Sequence, residues 1–110
     1  LAIIDRDGAM VVMPGKRLDT NTAPEAEKTI TARLESGVSR IVFDFSGTDY
    51  ISSAGLRILL KTTKLAGKHG GKVGLCHANA QIREVLEISG FLTMLRHYEN
   101  LDEALKNVLA

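Results

Sequence analysis

The sequence predicts an α/β fold: a single mixed, mostly parallel β-sheet opened by an N-terminal β-hairpin, with about four helices, over residues 1–110. Three observations carry this. Short apolar runs alternate with capped segments of helical character, the pattern of right-handed crossovers and a largely parallel sheet. Asp7-Gly8 between two apolar runs is a strong hairpin signal, which adds an antiparallel pair at the start. Arg40 to Phe45 is almost continuously apolar, as a central strand covered on both faces must be.

In order, Leu1–Ile4 and Ala9–Met13 form the hairpin, and Gly15–Asn21 follows as a loop. Thr22 and Glu25 have the spacing of a capping box, with Pro24 tolerated in the first turn of a helix that Gly37 ends. Arg40–Phe45 is a strand. Ser53–Lys68 is a helix ended by His69-Gly70-Gly71. Lys72–His77 is a strand, and Asn79 caps a helix over Ala80–Ser89. Met94–Tyr98 is a short strand. Asn100 with Glu103 opens a last helix over Leu101–Leu109. Function in open α/β sheets usually lies at the carboxyl ends of the strands. The loop after Arg40–Phe45 and the loop Arg17–Thr22 should both reach that edge.

Composition narrows the function classes. With 14 basic and 13 acidic residues the net charge is +1, and the few aromatics are scattered. Neither suits a dedicated nucleic-acid binder. No apolar run nears the roughly 20 residues of a membrane span, so no membrane insertion is expected. One cysteine, Cys76, suits a reducing compartment as a small buried residue, and no stretch reads as a secretory signal. The expected location is cytoplasmic. The chain begins at Leu1 without Met, which leaves room for a few preceding residues.

The segment richest in chemistry is Asp49-Tyr50-Ile51-Ser52-Ser53-Ala54-Gly55-Leu56. A strand that passes through a short polar loop into a helix leaves free backbone N–H groups at the joint, and these favour an anion. Two hydroxyls, Ser52 and Ser53, stand there. A serine can simply cap the helix, or it can be a place where phosphate is added. On the helix itself, Leu56, Leu59, Leu60, Thr63, Ala66 and Gly67 fall on one face by 100° spacing, the expected core side. Arg57, Lys61, Lys64 and Lys68 form a basic stripe, and Ile58 and Leu65 point away from that core face. The bland alternative is a solvated face; the functional one is a docking face for an acidic partner, with Ile58 and Leu65 as apolar anchors.

Enzyme signatures are lacking. Ile51-Ser52-Ser53-Ala54-Gly55 lacks the first glycine of a nucleophile elbow, and Gly67–Gly71 is a helix end, not a phosphate-cradling loop. His69, His77 and His97 show no metal-ligand spacing with one another or with Cys76. No metal and no cofactor is expected.

The chain resembles a STAS domain, and within that family a stand-alone anti-sigma factor antagonist of bacteria. The resemblance runs through Leu18-Asp19…Thr22-Ala23, Ile41–Phe45, the signature loop Tyr50–Leu56 and Ile88-Ser89-Gly90-Phe91. It implies a partner-switching protein without an active site. The unmodified domain binds an anti-sigma factor that is also a serine kinase and so frees the sigma factor. Phosphorylation of Ser53 by that kinase ends the binding, and a serine phosphatase restores it. Ser52 stands where the family commonly has Asp, while Gly55 and Leu56 hold its Gly-Leu pair. Asp19 matches the acidic residue that lies close to the phosphoserine. Apart from the resemblance, Asp19 and Asp49 are candidates to flank Ser53 and orient its hydroxyl, the alternative being that both are loop residues bonding to nearby backbone. Thr22, Arg57, Ile58, Lys61, Lys64 and Leu65 complete the expected switch loop and partner surface. Two other roles stay open: an accessory subunit of an ABC-type lipid transporter, and a nucleotide-binding domain.

Overall fold

The computed structural model describes all residues from Leu1 to Ala110. The main sheet has five strands: β1 (Ala2–Arg6), β2 (Ala9–Met13), β4 (Arg40–Asp44), β6 (Lys72–Cys76) and β7 (Arg96–Tyr98), in the order β1-β2-β4-β6-β7. Only β1 and β2 are antiparallel; every other neighbouring pair is parallel. The hairpin turns at Asp7 (φ 56°) and Gly8 (φ 91°), both left-handed, as a two-residue turn of the mirror-image type requires. β4 lies at the centre of the sheet, and its residues 41–44 are all buried.

Alternation along the strands builds two cores, one on each face. Met10, Val12, Ile41, Phe43 and Leu75 face α1 (Ala23–Glu35), α2 (Ser53–Lys68) and α3 (Ala80–Ile88). Ala9, Val11, Val42 and Cys76 face α4 (Leu101–Val108) through Ala104, Leu105 and Val108. The side chains of Asn79 and Asn100 cap α3 and α4, each with a bond of 2.8 Å to a first-turn N–H. No helix is long and apolar enough to cross a membrane.

Three local expectations need correction. The loop Gly15–Asn21 contains a strand, β3 (Arg17–Leu18), which pairs in parallel with β5 (Tyr50–Ile51) to make a small second sheet. Two residues are too few for any periodicity to reveal. Thr22 precedes α1 but makes no cap bond. Its hydroxyl donates to the Arg17 carbonyl and accepts from the Asp19 N–H, both at 2.9 Å. The capping box is therefore replaced by a turn that closes the first loop. The segment Met94–Tyr98 is shorter as a strand, because a 3₁₀ turn over Phe91–Thr93 uses the residues before it.

The largest correction concerns α2. Its buried residues are Gly55, Ile58, Leu59, Thr62 and Ala66, whereas Gly67 is exposed and Leu56, Leu60 and Thr63 are half-buried. The helix has two neighbours, the sheet beneath and α1 at its side, so its buried arc is rotated from the one a single apolar stripe suggests. Ile58 is only 3% exposed and belongs to the main core, with Leu65 half-buried against it. Ile58→Ala should therefore lower the unfolding free energy by about 2–5 kcal/mol. Denaturant unfolding checks this; a change within about 0.5 kcal/mol, typical of a surface site, would return Ile58 to the surface.

Candidate functional site: the serine loop at the start of α2

The site is built where two loops are stitched together. The Thr48 hydroxyl donates to the Gly15 carbonyl at 2.7 Å, and the Asp49 N–H donates to Lys16 at 2.8 Å. β3 and β5 then pair, and the Ser52 N–H donates to Leu18 at 2.9 Å. The first turn of α2 is thus held against the loop after β2. Gly55 is necessary to this approach: a Cβ there would lie 2.6 Å from the Leu18 carbonyl oxygen and 2.7 Å from Cγ1 of Ile51. Those are distances that real Cβ atoms do not reach, and the nearest atom belongs to backbone. The sequence offers Gly55 only as part of a motif; the structure gives it a steric reason.

The two serines have different jobs. Ser52 has extended backbone geometry and is the cap residue, its Oγ accepting from the Gly55 N–H at a long 3.4 Å. Ser53 is the first helical residue, exposed, and its hydroxyl makes no hydrogen bond within the protein. The N–H groups of Ser53 and Ala54 belong to the unpaired set at any helix start. The cap and the free hydroxyl, alternatives for one residue in the sequence, are divided between two.

Neither flanking carboxylate orients Ser53. The Asp19 carboxylate accepts from Arg17 Nε at 2.9 Å and from the N–H groups of Asn21 (3.0 Å) and Thr22 (3.2 Å). These partners, Arg17 above all, hold its carboxyl below the usual carboxylate range. Because the folded value is the lower one, the stability Asp19 contributes is present above the ordinary carboxylate range and is lost as pH falls through the lowered value. The guanidinium of Arg17 also lies 4.3 Å from the centroid of the Tyr50 ring, bridging β3 to β5. Asp49 is exposed and uses its backbone, not its side chain, to join the loops. The expected hydroxyl-orienting role thus gives way to loop closure: the Asp19 carboxylate has nearer partners in its own turn, and the Asp49 backbone joins one loop to the other.

Along α2, Arg57, Lys61, Lys64 and Lys68 are exposed as expected. Lys61 pairs with Glu27 of α1 at 3.0 Å; Arg57 and Lys64 form no ion pair. A cleft of about 690 Å³ runs between α1 and α2, and its lining includes Glu27, Glu35, Ala54, Arg57, Ile58 and Lys61. Leu56 is half-buried and packs on the main core.

One cluster escaped the sequence. Asp44 and Cys76 are register partners at the ends of β4 and β6, and Nδ1 of His77 lies 3.1 Å from Oδ1 of Asp44. Burial, with Asp44 alongside, pushes the Cys76 thiol up to about 12. Spacing could not reveal the cluster, since Asp44 is remote in sequence from the other two; an acidic residue inside the apolar run 41–45 was the available signal. Nε2 of His97 accepts from the Ala78 N–H at 3.1 Å, and burial lowers the pKa of this ring.

Fold and loop together define a class: mixed-sheet α/β domains that carry a serine loop at the start of a helix on the sheet's carboxyl edge. The chain belongs to the STAS domain family, whose model matches residues 1–104. It is 36% identical over 88 residues to BtrV of Bordetella bronchiseptica, covering 80% of this chain and 76% of that one. It is 26% identical over 108 residues to RsfB of Mycobacterium tuberculosis, an anti-sigma-F factor antagonist, covering 98% and 88%. Among solved structures it is similar to an anti-sigma factor antagonist from Mycobacterium paratuberculosis, with a TM-score of 0.89, 30% identity and coverage of 99% and 92%.

The division of roles between the serines is measurable. Ser52→Ala should cost about 0.5–1 kcal/mol of stability as a weak cap, Ser53→Ala should stay within about 0.5 kcal/mol, and Gly55→Ala should cost about 1–3 kcal/mol through overpacking. Thermal unfolding of the three variants checks the ranking; a destabilised Ser53→Ala beside a neutral Ser52→Ala would reverse the assignment.

Proposed function

We propose that this chain is an anti-sigma factor antagonist whose binding is switched by phosphorylation of Ser53. Unmodified, it binds an anti-sigma factor through the start of α2, the adjoining loop and the basic stripe. A serine kinase, the anti-sigma factor itself, transfers phosphate from ATP to the Ser53 hydroxyl and the complex separates; a serine phosphatase restores the bound form. The chain is a regulatory binding protein and a substrate of the kinase.

The observation that carries this is Ser53: exposed, on the first turn of α2, and free of internal hydrogen bonds because Ser52 supplies the cap. A phosphate adds about −1.5 to −2 charges at pH 7. The unpaired N–H groups of the first turn accept that charge without rearrangement of the fold. A partner surface seated over a neutral serine meets instead a charge it must desolvate or repel, which costs several kcal/mol. Each 1.4 kcal/mol is tenfold in affinity, so the modification suffices to empty the complex.

Support for the partner surface comes from the cations of α2. Arg57, which lines the cleft, and Lys64 are exposed and unpaired, and they suit an acidic partner. Lys61 is already engaged by Glu27. Ile58, as a core residue, and Leu65, half-buried, leave charge rather than apolar anchoring as the contribution of this face.

Two measurements test the proposal. Intact mass after incubation with the partner kinase and ATP should rise by one phosphate in the wild type and not in Ser53→Ala, and the modified protein should bind the anti-sigma factor about a hundredfold more weakly. A phosphate that persists in Ser53→Ala would move the site elsewhere. Separately, Arg57→Glu with Lys64→Glu should slow association and raise Kd at low salt while thermal stability stays unchanged; unaltered association would remove the basic stripe from the interface.

A further inference from the structure

We propose that Asp44, Cys76 and His77 form a binding site for a divalent cation of the zinc class, separate from the serine loop. The site lies where parallel strands end. β4 and β6 are adjacent, and the register sets Asp44 beside Cys76 on the sheet face that α4 covers. His77 follows at once, with φ at 58°, a left-handed conformation that histidine adopts more readily than most residues. That turn brings its ring back over the strand ends, with Nδ1 3.1 Å from Oδ1 of Asp44. One sulfur, one nitrogen and one carboxylate oxygen, from three residues, all lie within 4.8 Å of one another.

The donor set selects the ion. Magnesium and calcium take oxygen ligands, whereas a thiolate with an imidazole and a carboxylate suits Zn²⁺ and its spectroscopic substitute Co²⁺. Metal–ligand lengths of about 2.0–2.3 Å put donors about 3.3–3.7 Å apart in a tetrahedron. The Asp44–His77 pair already has that order of separation, and small side-chain rotations would bring in the Cys76 sulfur. Asp44 is held for the role by the Ser46 N–H, which donates to Oδ1 at 3.0 Å; such outer bonds fix the orientation of ligands. Cys76 and Asp44 are buried, while the His77 side chain is 37% exposed. The ion thus has an entry on the His77 side, and a water completes the fourth position there. On binding, the thiol proton leaves to solvent as the sulfur–metal bond forms. The His77–Asp44 hydrogen bond gives way to two metal bonds, with the imidazole proton on Nε2.

Titration of the untagged protein with Co²⁺, followed by absorption, tests the site. The wild type should bind one ion, with a thiolate-to-cobalt charge-transfer band in the near ultraviolet and the visible bands of a tetrahedral centre, and Zn²⁺ should displace it. Cys76→Ser should lose the charge-transfer band. His77→Asn should bind at least about tenfold more weakly; asparagine tolerates the left-handed backbone, so this variant keeps the fold even if Cys76→Ser does not. Zn²⁺ should raise the Tm of the wild type and not of His77→Asn. Absence of a charge-transfer band in the wild type, or affinity unchanged in His77→Asn, would overturn the proposal.

Discussion

The structure turns on the seam between the loop after β2 and the segment that leads into α2. Four links make it: the Thr48 hydroxyl to Gly15, the Asp49 N–H to Lys16, the β3–β5 pair, and the Ser52 N–H to Leu18. Leu18 then lies so close to α2 that only glycine fits at position 55. With the seam closed, the helix begins at a fixed place, Ser52 caps it, and Ser53 is left on the surface with nothing to bond inside the protein. Neither the exposure of Ser53 nor its detachment from the cap would survive if α2 began a residue later.

This arrangement separates what a charge does to the fold from what it does to a partner. The hydrogen bonds that hold the loop involve Asp19, Thr22, Thr48 and backbone groups, and none passes through the Ser53 hydroxyl. The core of α2 lies on another side, through Ile58, Leu59, Thr62 and Ala66. A phosphate on Ser53 therefore meets helix-start N–H groups and solvent, while the packing beneath is untouched. Of the cations of the stripe, Lys61 is tied to Glu27 of α1, whereas Arg57 and Lys64 form no ion pair.

Much of this was legible in the sequence where a pattern repeats or a residue type has a narrow use. Asp7-Gly8 specified the hairpin, the apolar run through Ile41–Phe45 specified the central strand, and Asn79 and Asn100 announced their helices. The serine loop was found from its motif and from its position after a strand. What stayed hidden depends on contacts distant in sequence. The parallel pair of β3 and β5 is two residues long and has no period. Thr22 was taken up by a bond to Arg17 that competes with capping. The buried face of α2 differs from the one a helical wheel gives, because a wheel assumes one buried direction and α2 packs on both the sheet and α1. Asp44 met Cys76 and His77 only through the register of β4 with β6. The resemblance places Asp19 close to Ser53, whereas Asp19 spends its carboxylate on Arg17 and on its own turn.

The central claim is that phosphate on Ser53 changes the surface and leaves the fold in place. Amide ¹H–¹⁵N correlation spectra of the unmodified and Ser53-phosphorylated chain test it most directly. The account predicts shifts confined to the first turn of α2 and to the two loops of the seam, with the amides of β2, β4 and β6 unmoved. Shifts spread through the sheet and α4, or loss of dispersion, would contradict it.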